Sequence, residues 1–330
     1  MKMNWYRLAA GLAAFMAGSA MAQSWPTKPI RLLIPIAAGG ATDQLARMMA
    51  LRLSNALGQP VVAENVTGAA GSIALQRLAA SEPDGYTLSA TASSLHTIAA
   101  HTSKLPYDPI AAFTPIGTYA AFEYMMVVGA TSPVTSLPDL LERARKAPGN
   151  ISFGSSGVGT GNHLAGVLLG QLTGVEFNSI PYRGGSPAML DVIAGRTTFI
   201  FDVLGGSVPL IEGGKVKPIA SSGVKRHPLF PNVPTVGETV SGYEATGWFA
   251  LIGPAGLPPE VVRRLSTEIN KLQAAPDYRD QLIKLGYDAL PGTPADLLQR
   301  MRTESAKWGP IVKSLPCSLL PERCAAGERR

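Results

Sequence analysis

Cysteine and charge are both scarce in this sequence. The 330 residues include two cysteines, Cys317 and Cys324, and only 16% of the residues are charged. Two cysteines close at most one disulfide, which excludes a fold held together by a disulfide framework. The sequence has no H-E-x-x-H motif, and neither cysteine stands at zinc-ligand spacing from a histidine. We therefore expect neither a metal site nor a cofactor.

Dense basic clusters are also missing. Lysine and arginine number 29 against 23 acidic residues, and the basic residues are scattered without an arginine-rich run. Nucleic-acid binding requires a concentrated basic surface. The sequence therefore gives no support to a nucleic-acid partner.

The first 22 residues have the pattern of a secretory signal. Lys2 and Arg7 give a positive start, residues 8–20 are apolar, and Ala20-Met21-Ala22 forms a cleavage site before Gln23. A single membrane anchor is the alternative, but the apolar run is shorter than the roughly 20 residues that a spanning helix needs. We expect an exported protein whose mature chain begins at Gln23. Its formal charge falls from +6 to +4, because 27 basic residues then face 23 acidic ones.

One stretch near the start of the mature chain predicts a strand, a glycine loop and a helix. Residues 30–34 are mostly branched and apolar, and Gly39 and Gly40 follow them. Glycine allows a backbone turn with positive φ and a close approach to a ligand. Thr42 or Asp43 then offers an N-cap, and leucines and methionine at fourfold spacing continue to Gly58. Free N–H groups at such a helix start form an anion site.

The same architecture recurs later in the chain. Residues 151–154 predict a strand, 155–162 a loop of small residues, and a helix then runs from His163 to Gly174. Strands are also expected at 61–64 and 86–90, so three β-loop-α units in series predict a parallel sheet. Ligands of such sheets bind beyond the carboxyl ends of the strands. A cleft between two such loops is the natural site.

About 300 mature residues exceed what one core usually serves, so we expect two domains. An apolar run at 124–128 is the expected crossing point, and residues 243–252 are expected to return the chain to the first domain. The predicted segments are a signal at 1–22, a first domain at 23–124 and 228–313, a second domain at 125–227, and a tail at 314–330.

Ten short motifs in collinear order resemble those of one known family, the Bug/TctC solute receptors of tripartite tricarboxylate transporters. The resemblance extends from about Trp25 to Lys313 and stops before the tail. Its main motifs are Pro35-x-Ala37-Ala38-Gly39-Gly40-x-x-Asp43, Pro83-Asp84-Gly85-Tyr86-Thr87-Leu88, Ser155-Ser156-Gly157-x-Gly159-Thr160-x-Asn162-His163, Phe201-Asp202 and Lys307-Trp308-Gly309.

The resemblance implies an α/β receptor of the type II periplasmic-binding-protein fold, with two doubly wound domains and a hinged cleft. It implies that the two loops hold a ligand carboxylate through N–H groups, hydroxyls and bridging waters, and neither loop contains a basic residue. The expected ligand-binding residues are Ala38, Gly39, Gly40, Asp43, Ser93, Ser94, Ser155, Ser156, Gly157, Gly159, Thr160, Asn162, His163 and Asp202.

Several of these residues also have a purely structural interpretation. Gly39 and Gly40 could be turn glycines, and His163 could pack or cap at its helix start. Asp202 could cap the next element, or it could accept a hydrogen bond from an amino or hydroxyl group of the ligand. The serines at 155 and 156 are expected to form hydrogen bonds rather than to act as nucleophiles, because the outer glycine of G-x-S-x-G is absent.

We expect a monomeric periplasmic receptor, not an enzyme, that captures a small organic acid or amino acid and delivers it to integral-membrane transporter subunits. A receptor that signals through a membrane sensor is the alternative, and a secreted enzyme acting on carboxylates is a further one. In the tail, Cys317 and Cys324 either close one small disulfide loop or stay as thiols; the oxidising compartment favours the disulfide.

Overall fold

The computed structural model describes residues 25–36, 38, 39 and 41–315. The expected signal at 1–22, Gly40 and both tail cysteines lie outside these residues. The predictions made for them therefore remain predictions.

Strands and helices alternate along the chain. The first elements are β1 (Ile30–Ile34), α1 (Ala41–Leu57), β2 (Val61–Asn65), a 3₁₀ turn (Ala69–Gly71), α2 (Ser72–Ala79), β3 (Thr87–Ala92), α3 (Ser94–Thr97), α4 (Ala99–Thr102), β4 (Phe113–Gly129), α5 (Leu137–Lys146) and β5 (Ser152–Ser155). The next are α6 (Gly161–Thr173), β6 (Asn178–Pro181), α7 (Gly185–Ile193), β7 (Phe199–Val203), α8 (Leu204–Glu212), β8 (Val216–Ser221), α9 (Val236–Thr239), β9 (Thr246–Pro254), α10 (Pro259–Ala274), α11 (Pro276–Lys284) and α12 (Pro294–Lys313).

The strands of the described residues form one mixed sheet in the order β2-β1-β3-β9-β4-β7-β5-β6, with β8 paired to β4. We call β2, β1, β3, β9 and residues 113–123 of β4 the first half, and β6, β5, β7, β8 and residues 124–129 of β4 the second half. Three parallel strands lead each half, as the β-loop-α units predict, and antiparallel strands complete it. The α/β fold class is confirmed, and the antiparallel strands make the sheet mixed rather than parallel throughout.

Strand β4 is the connection between the halves. It pairs with β9 from Phe113 to Glu123 and with β7 from Tyr124 onward. The chain returns to the first half at buried Ser222, which is hydrogen-bonded to Tyr124. The Tyr124 N–H donates to the Ser222 Oγ at 2.8 Å, and the Ser222 N–H donates to the Tyr124 carbonyl at 2.8 Å. Both crossings therefore lie side by side at Tyr124.

Two local expectations are wrong. The strand expected at 124–128 extends from Phe113 to Gly129, because bulges near Pro115 and between Thr118 and Ala120 carry it past residues that indicate a turn. Helix α1 begins at Ala41, so Asp43 lies in its first turn and is not the N-cap. No prediction was made for the short helices α3 and α4, which are too brief to produce a helical period in the sequence.

The last helix, α12, packs on β4, α3 and α4 of the first half and also contacts α6 of the second half. Its Trp308 and Ile311 are buried in the main hydrophobic core. No helix among the described residues has the length and apolar character that a membrane crossing requires.

Candidate functional site

The expected site residues follow the carboxyl ends of parallel strands in both halves. Residues 38–43 follow β1 and Ser93 follows β3, whereas residues 156–163 follow β5 and Asp202 lies near the end of β7. Strands β5 and β7 are paired in parallel at Gly154 and Ile200, which brings Ser156 and Asp202 to the same edge of the second half. This edge is where ligands of parallel sheets bind.

The first loop is fastened from within by Asp43. Gly39 has a φ of 91° and donates its N–H to the Asp43 carboxylate at 3.0 Å. Arg47 donates to the same oxygen at 3.0 Å, and Asn65 donates to the other oxygen at 2.8 Å. Because the side chain is only 3% exposed and all of these donors face it, Asp43 positions the loop.

Burial alone would raise the pKa of Asp43. Hydrogen bonds from Arg47, Gly39 and Asn65 outweigh it and hold the pKa below the usual value. The carboxylate therefore stays ionised at neutral pH. Its charge is balanced by Arg47 one helical turn away.

The other expected residues of the first half divide into internal and available groups. Ala38 is exposed, and Gly40 lies outside the described residues. Ser93 is buried and joins β3 to β9: its N–H donates to the Trp248 carbonyl at 2.9 Å, and its Oγ accepts the Trp248 N–H at 3.4 Å. Half-buried Ser94 begins α3, and its hydroxyl has no hydrogen-bond partner among the described side chains and backbone.

In the second loop, Asn162 is the organising side chain. Its Oδ1 accepts from the Ser156 N–H at 3.3 Å, from the Ser156 hydroxyl at 2.8 Å and from the Thr160 hydroxyl at 2.7 Å. Thr160 also approaches the Gly157 carbonyl at 2.6 Å, so the loop is closed on itself. With Oδ1 committed, the Asn162 amide N–H groups have no acceptor in the described part of the chain and are available to a ligand.

His163 fastens the second loop as Asp43 fastens the first. Gly159 has a φ of 75° and donates its N–H to Nδ1 of His163 at 3.3 Å. In each loop a glycine with positive φ stands two residues before the helix, and the side chain four residues later accepts its N–H. Burial lowers the pKa of His163 to about 4, so the ring is neutral at physiological pH.

The start of α6 keeps its first-turn donors open. Thr160 is the N-cap, yet its side chain does not cap the helix. The N–H groups of Gly161, Asn162 and His163 precede the first intrahelical bond, which Leu164 donates to Thr160 at 2.9 Å, and no described residue accepts them. Ser155 adds a buried hydroxyl without a hydrogen-bond partner in the same range of residues.

Two contacts connect the second loop with the rest of the cleft. A Cβ at Gly159 would lie 2.6 Å from Cγ2 of Thr102, so this loop approaches α4 of the first half closely. Gly161 lies directly against the hydroxyl of Tyr124 at the crossing. Neither Thr102 nor Tyr124 was predicted as a site residue, because no local motif marks them.

Asp202 lies at the end of β7 beside these groups. Burial raises its pKa to about 6, although the Ser207 hydroxyl, at 2.9 Å, and the Val203 N–H favour its ionised form. Burial raises the pKa of the nearby Tyr287 to about 12, and the negative charge of Asp202 contributes to this shift. The Tyr287 hydroxyl is buried and has no hydrogen-bond partner among the described residues. Asp202 and Tyr287 therefore bring polar groups together in a largely buried environment.

Metal-binding geometry is absent from the part of the chain that the structure describes: no three His, Cys, Asp or Glu side chains converge there in a way that could hold an ion.

Comparison with known proteins identifies the family. A model described as a tripartite tricarboxylate transporter family receptor matches residues 45–316. The chain belongs to this receptor family. Among its relatives is a UPF0065 protein of Pseudomonas sp. strain P51, encoded between tcbD and tcbE, which is 35% identical over 312 residues and covers 93% of each chain.

Two solved structures that are similar to this chain contain a dicarboxylate. R. palustris Rpa4515 with adipate is 35% identical, has a TM-score of 0.80, and the match covers 88% of this chain and 97% of that one. MatC of Rhodopseudomonas palustris with bound malate is 28% identical, has a TM-score of 0.76, and the match covers 87% and 100%. The expected family and periplasmic-binding-protein fold are confirmed, and the family consists of receptors, not enzymes.

Proposed function

We propose that this receptor captures a small organic dicarboxylate between its two halves in the periplasm and delivers it to the membrane subunits of a tripartite transporter. Adipate and malate, the ligands named for two relatives, are both dicarboxylates. The observation that carries the proposal is the start of α6, where unpaired N–H donors lie beside a loop that approaches the opposite half at Thr102.

The open donors suit a carboxylate that is bound without an arginine. Neither loop contains a basic residue, and Arg47, the nearest cation in sequence to the first loop, is committed to Asp43 and Asn65. A helix N-terminus stabilises an anion by about 0.3–1 kcal/mol when exposed and up to about 2 kcal/mol when partly buried. Bridging waters are nearly as favourable as direct bonds. Backbone donors, the Asn162 amide and waters together replace the arginine.

The second ligand carboxylate is assigned to the end of the cleft near Asp202. With its pKa raised to about 6, Asp202 binds a proton readily when an anion approaches. A protonated Asp202 then offers a hydrogen-bond donor to the carboxylate. A ligand with an amino group would instead favour ionised Asp202, so the pH dependence of binding distinguishes these two ligand classes.

Closure follows from a ligand that reaches both halves. We propose domain boundaries at 23–124 and 228–313 for one domain and 125–227 for the other, with the two crossings at Tyr124 and Ser222 as the hinge. A ligand shifts such a protein toward the closed state only through contacts that the open state lacks. Contacts made by both loops at once satisfy this condition.

A thermal-shift screen tests the proposal. The panel contains mono-, di- and tricarboxylates, amino acids and aromatic acids, with adipate and malate included. At about 100 times Kd, binding to the native state adds about 2.7 kcal/mol, which raises the Tm visibly. We expect stabilisation by dicarboxylates. Stabilisation by amino acids alone would refute the proposed ligand class, and copurification with a sensor protein instead of a permease would refute the transport partner.

A further inference from the structure

Tyr124 lies at the ligand-binding edge of the second half. Residues 124–128 of β4 pair antiparallel with residues 199–203 of β7, and Tyr124 stands opposite Val203, the last residue of that strand. Strands β5 and β7 are parallel, so their carboxyl ends face the same edge of the sheet. Tyr124 is therefore placed beside the loop that follows β5, where ligands of such sheets bind.

The Tyr124 hydroxyl occupies the space next to the first residue of α6. A Cβ built on Gly161 would clash with this hydroxyl oxygen, yet it would lie 3.2 Å from Cζ of the ring. Gly161 does not have a positive φ, so glycine is needed here for space and not for backbone conformation. The hydroxyl therefore lies at the helix start whose first N–H groups no described residue accepts.

This hydroxyl is a donor without an internal acceptor. Among the described residues, the hydrogen bonds of Tyr124 involve only its backbone. Its ring is held edge-on against Phe122 at a centroid distance of 5.6 Å. Burial raises the pKa of Tyr124, and the charges of Asp202 and Glu304 raise it further, so the phenol keeps its proton at physiological pH. A polar group held in place without a partner costs stability, which a bound acceptor would offset.

We propose that Tyr124 contacts the ligand and that its hydroxyl donates a hydrogen bond to the carboxylate bound at the start of α6. This inference rests on the proposed function and adds a donor from the crossing strand to the donors of the second loop. A hydrogen bond from a hydroxyl to a carboxylate is charge-assisted and short. Because the Tyr124 backbone is hydrogen-bonded to Ser222 in both directions, this residue connects the ligand with both crossings.

Two phenylalanine substitutions test the role of the hydroxyl. Y124F removes a hydroxyl without a described partner, whereas the matched control Y243F removes one that donates to the Ala165 carbonyl of the same helix at 3.0 Å. In calorimetric titrations with adipate and malate, we expect the Kd of Y124F to be about tenfold higher than that of wild type and the Kd of Y243F to be unchanged. In the ligand-free protein, the Tm should fall in Y243F but not in Y124F.

A double-mutant cycle with Gly161 makes the test specific to the hydroxyl. G161A should displace the hydroxyl and weaken binding about as much as Y124F, whereas Y124F/G161A should differ from Y124F by less than about twofold, because only the ring then faces the new Cβ. A wild type that binds adipate or malate while Y124F binds it equally well would overturn this inference and leave the proposed function intact. Multiplicative losses in the double variant, or a Tm loss in Y124F as large as in Y243F, would also overturn it.

Discussion

Replacing Asp43 with asparagine removes the charged acceptor that holds the first loop in its conformation. The carboxylate accepts hydrogen bonds from Gly39, Arg47 and Asn65 at 2.8–3.0 Å while only 3% exposed. Hydrogen bonds to charged groups contribute about 1.5–3 kcal/mol each, but asparagine keeps one acceptor and half-exposed Arg47 can be hydrated. We expect a net loss of about 2 kcal/mol and a Tm lower by about 4–8 °C.

The same substitution should weaken ligand binding by about tenfold, because Gly39 is no longer held in its conformation. Calorimetric titration with the ligand found in the screen measures this loss. The stability difference also depends on pH. Since the folded pKa of Asp43 is lowered, its stabilisation is present above the usual pKa of about 3.9 and is lost as the pH falls through the folded value. The stability difference between variant and wild type should therefore shrink as the pH falls below about 3.9.

Asp139 provides the matched control. On α5 it also accepts the N–H of the residue four positions earlier, Thr135, at 3.0 Å and the Nε of Arg143 four positions later at 2.7 Å. It lies in neither ligand loop. D139N should leave ligand affinity unchanged. Wild-type affinity in D43N, or an equal loss in D139N, would refute the assignment of Asp43 to the positioning of the ligand loop.

Three further predictions concern the second loop, the hinge and the end of the cleft near Asp202. G159A should weaken ligand binding at least about tenfold, because its Cβ would clash with α4, whereas G174A, with a similar φ of 66° and open space, should change only stability. E123Q should be more stable than wild type at pH 8–9 in urea titrations, and the two proteins should be equally stable near pH 4.5. Burial raises the pKa of Glu123 in the folded state to about 8, so wild-type stability declines as the pH rises from 4.5 to 8. D202N should abolish the weakening of dicarboxylate binding that wild type shows between pH 5.5 and 7.5 in calorimetry, and an unchanged pH profile would contradict the proton-binding role.

Local sequence signals were sufficient to place both loops of the candidate site. An apolar run, a glycine or small-residue loop and a helical period stand next to one another at β1–α1 and β5–α6, so no distant contact is needed to recognise them. Gly58 and Gly174 end their helices as expected, each with positive φ.

Contacts between distant residues decide what the sequence could not give. Asp43 and Asn162 were both expected to bind ligand, and only the tertiary structure distinguishes them. The Asp43 carboxylate accepts hydrogen bonds from its own loop and its neighbours, whereas the Asn162 amide N–H groups have no acceptor among the described residues. Tyr124 approaches Gly161 only because β4 crosses between the halves. The sequence does not predict the first part of that strand, because Pro115 normally argues against a strand interior. The bulge that accommodates Pro115 can be recognised only once the partner strand is known.

The most direct test of the account is a calorimetric titration of the purified receptor with adipate, malate and other short dicarboxylates. We expect one saturable site per chain for at least one of them, with a Kd near the micromolar range, equivalent to about −8 kcal/mol, and its loss in G159A but not in G174A. A folded receptor that binds none of these acids at millimolar concentration, or that binds one equally well in G159A, would contradict the claim that the two loops hold a dicarboxylate.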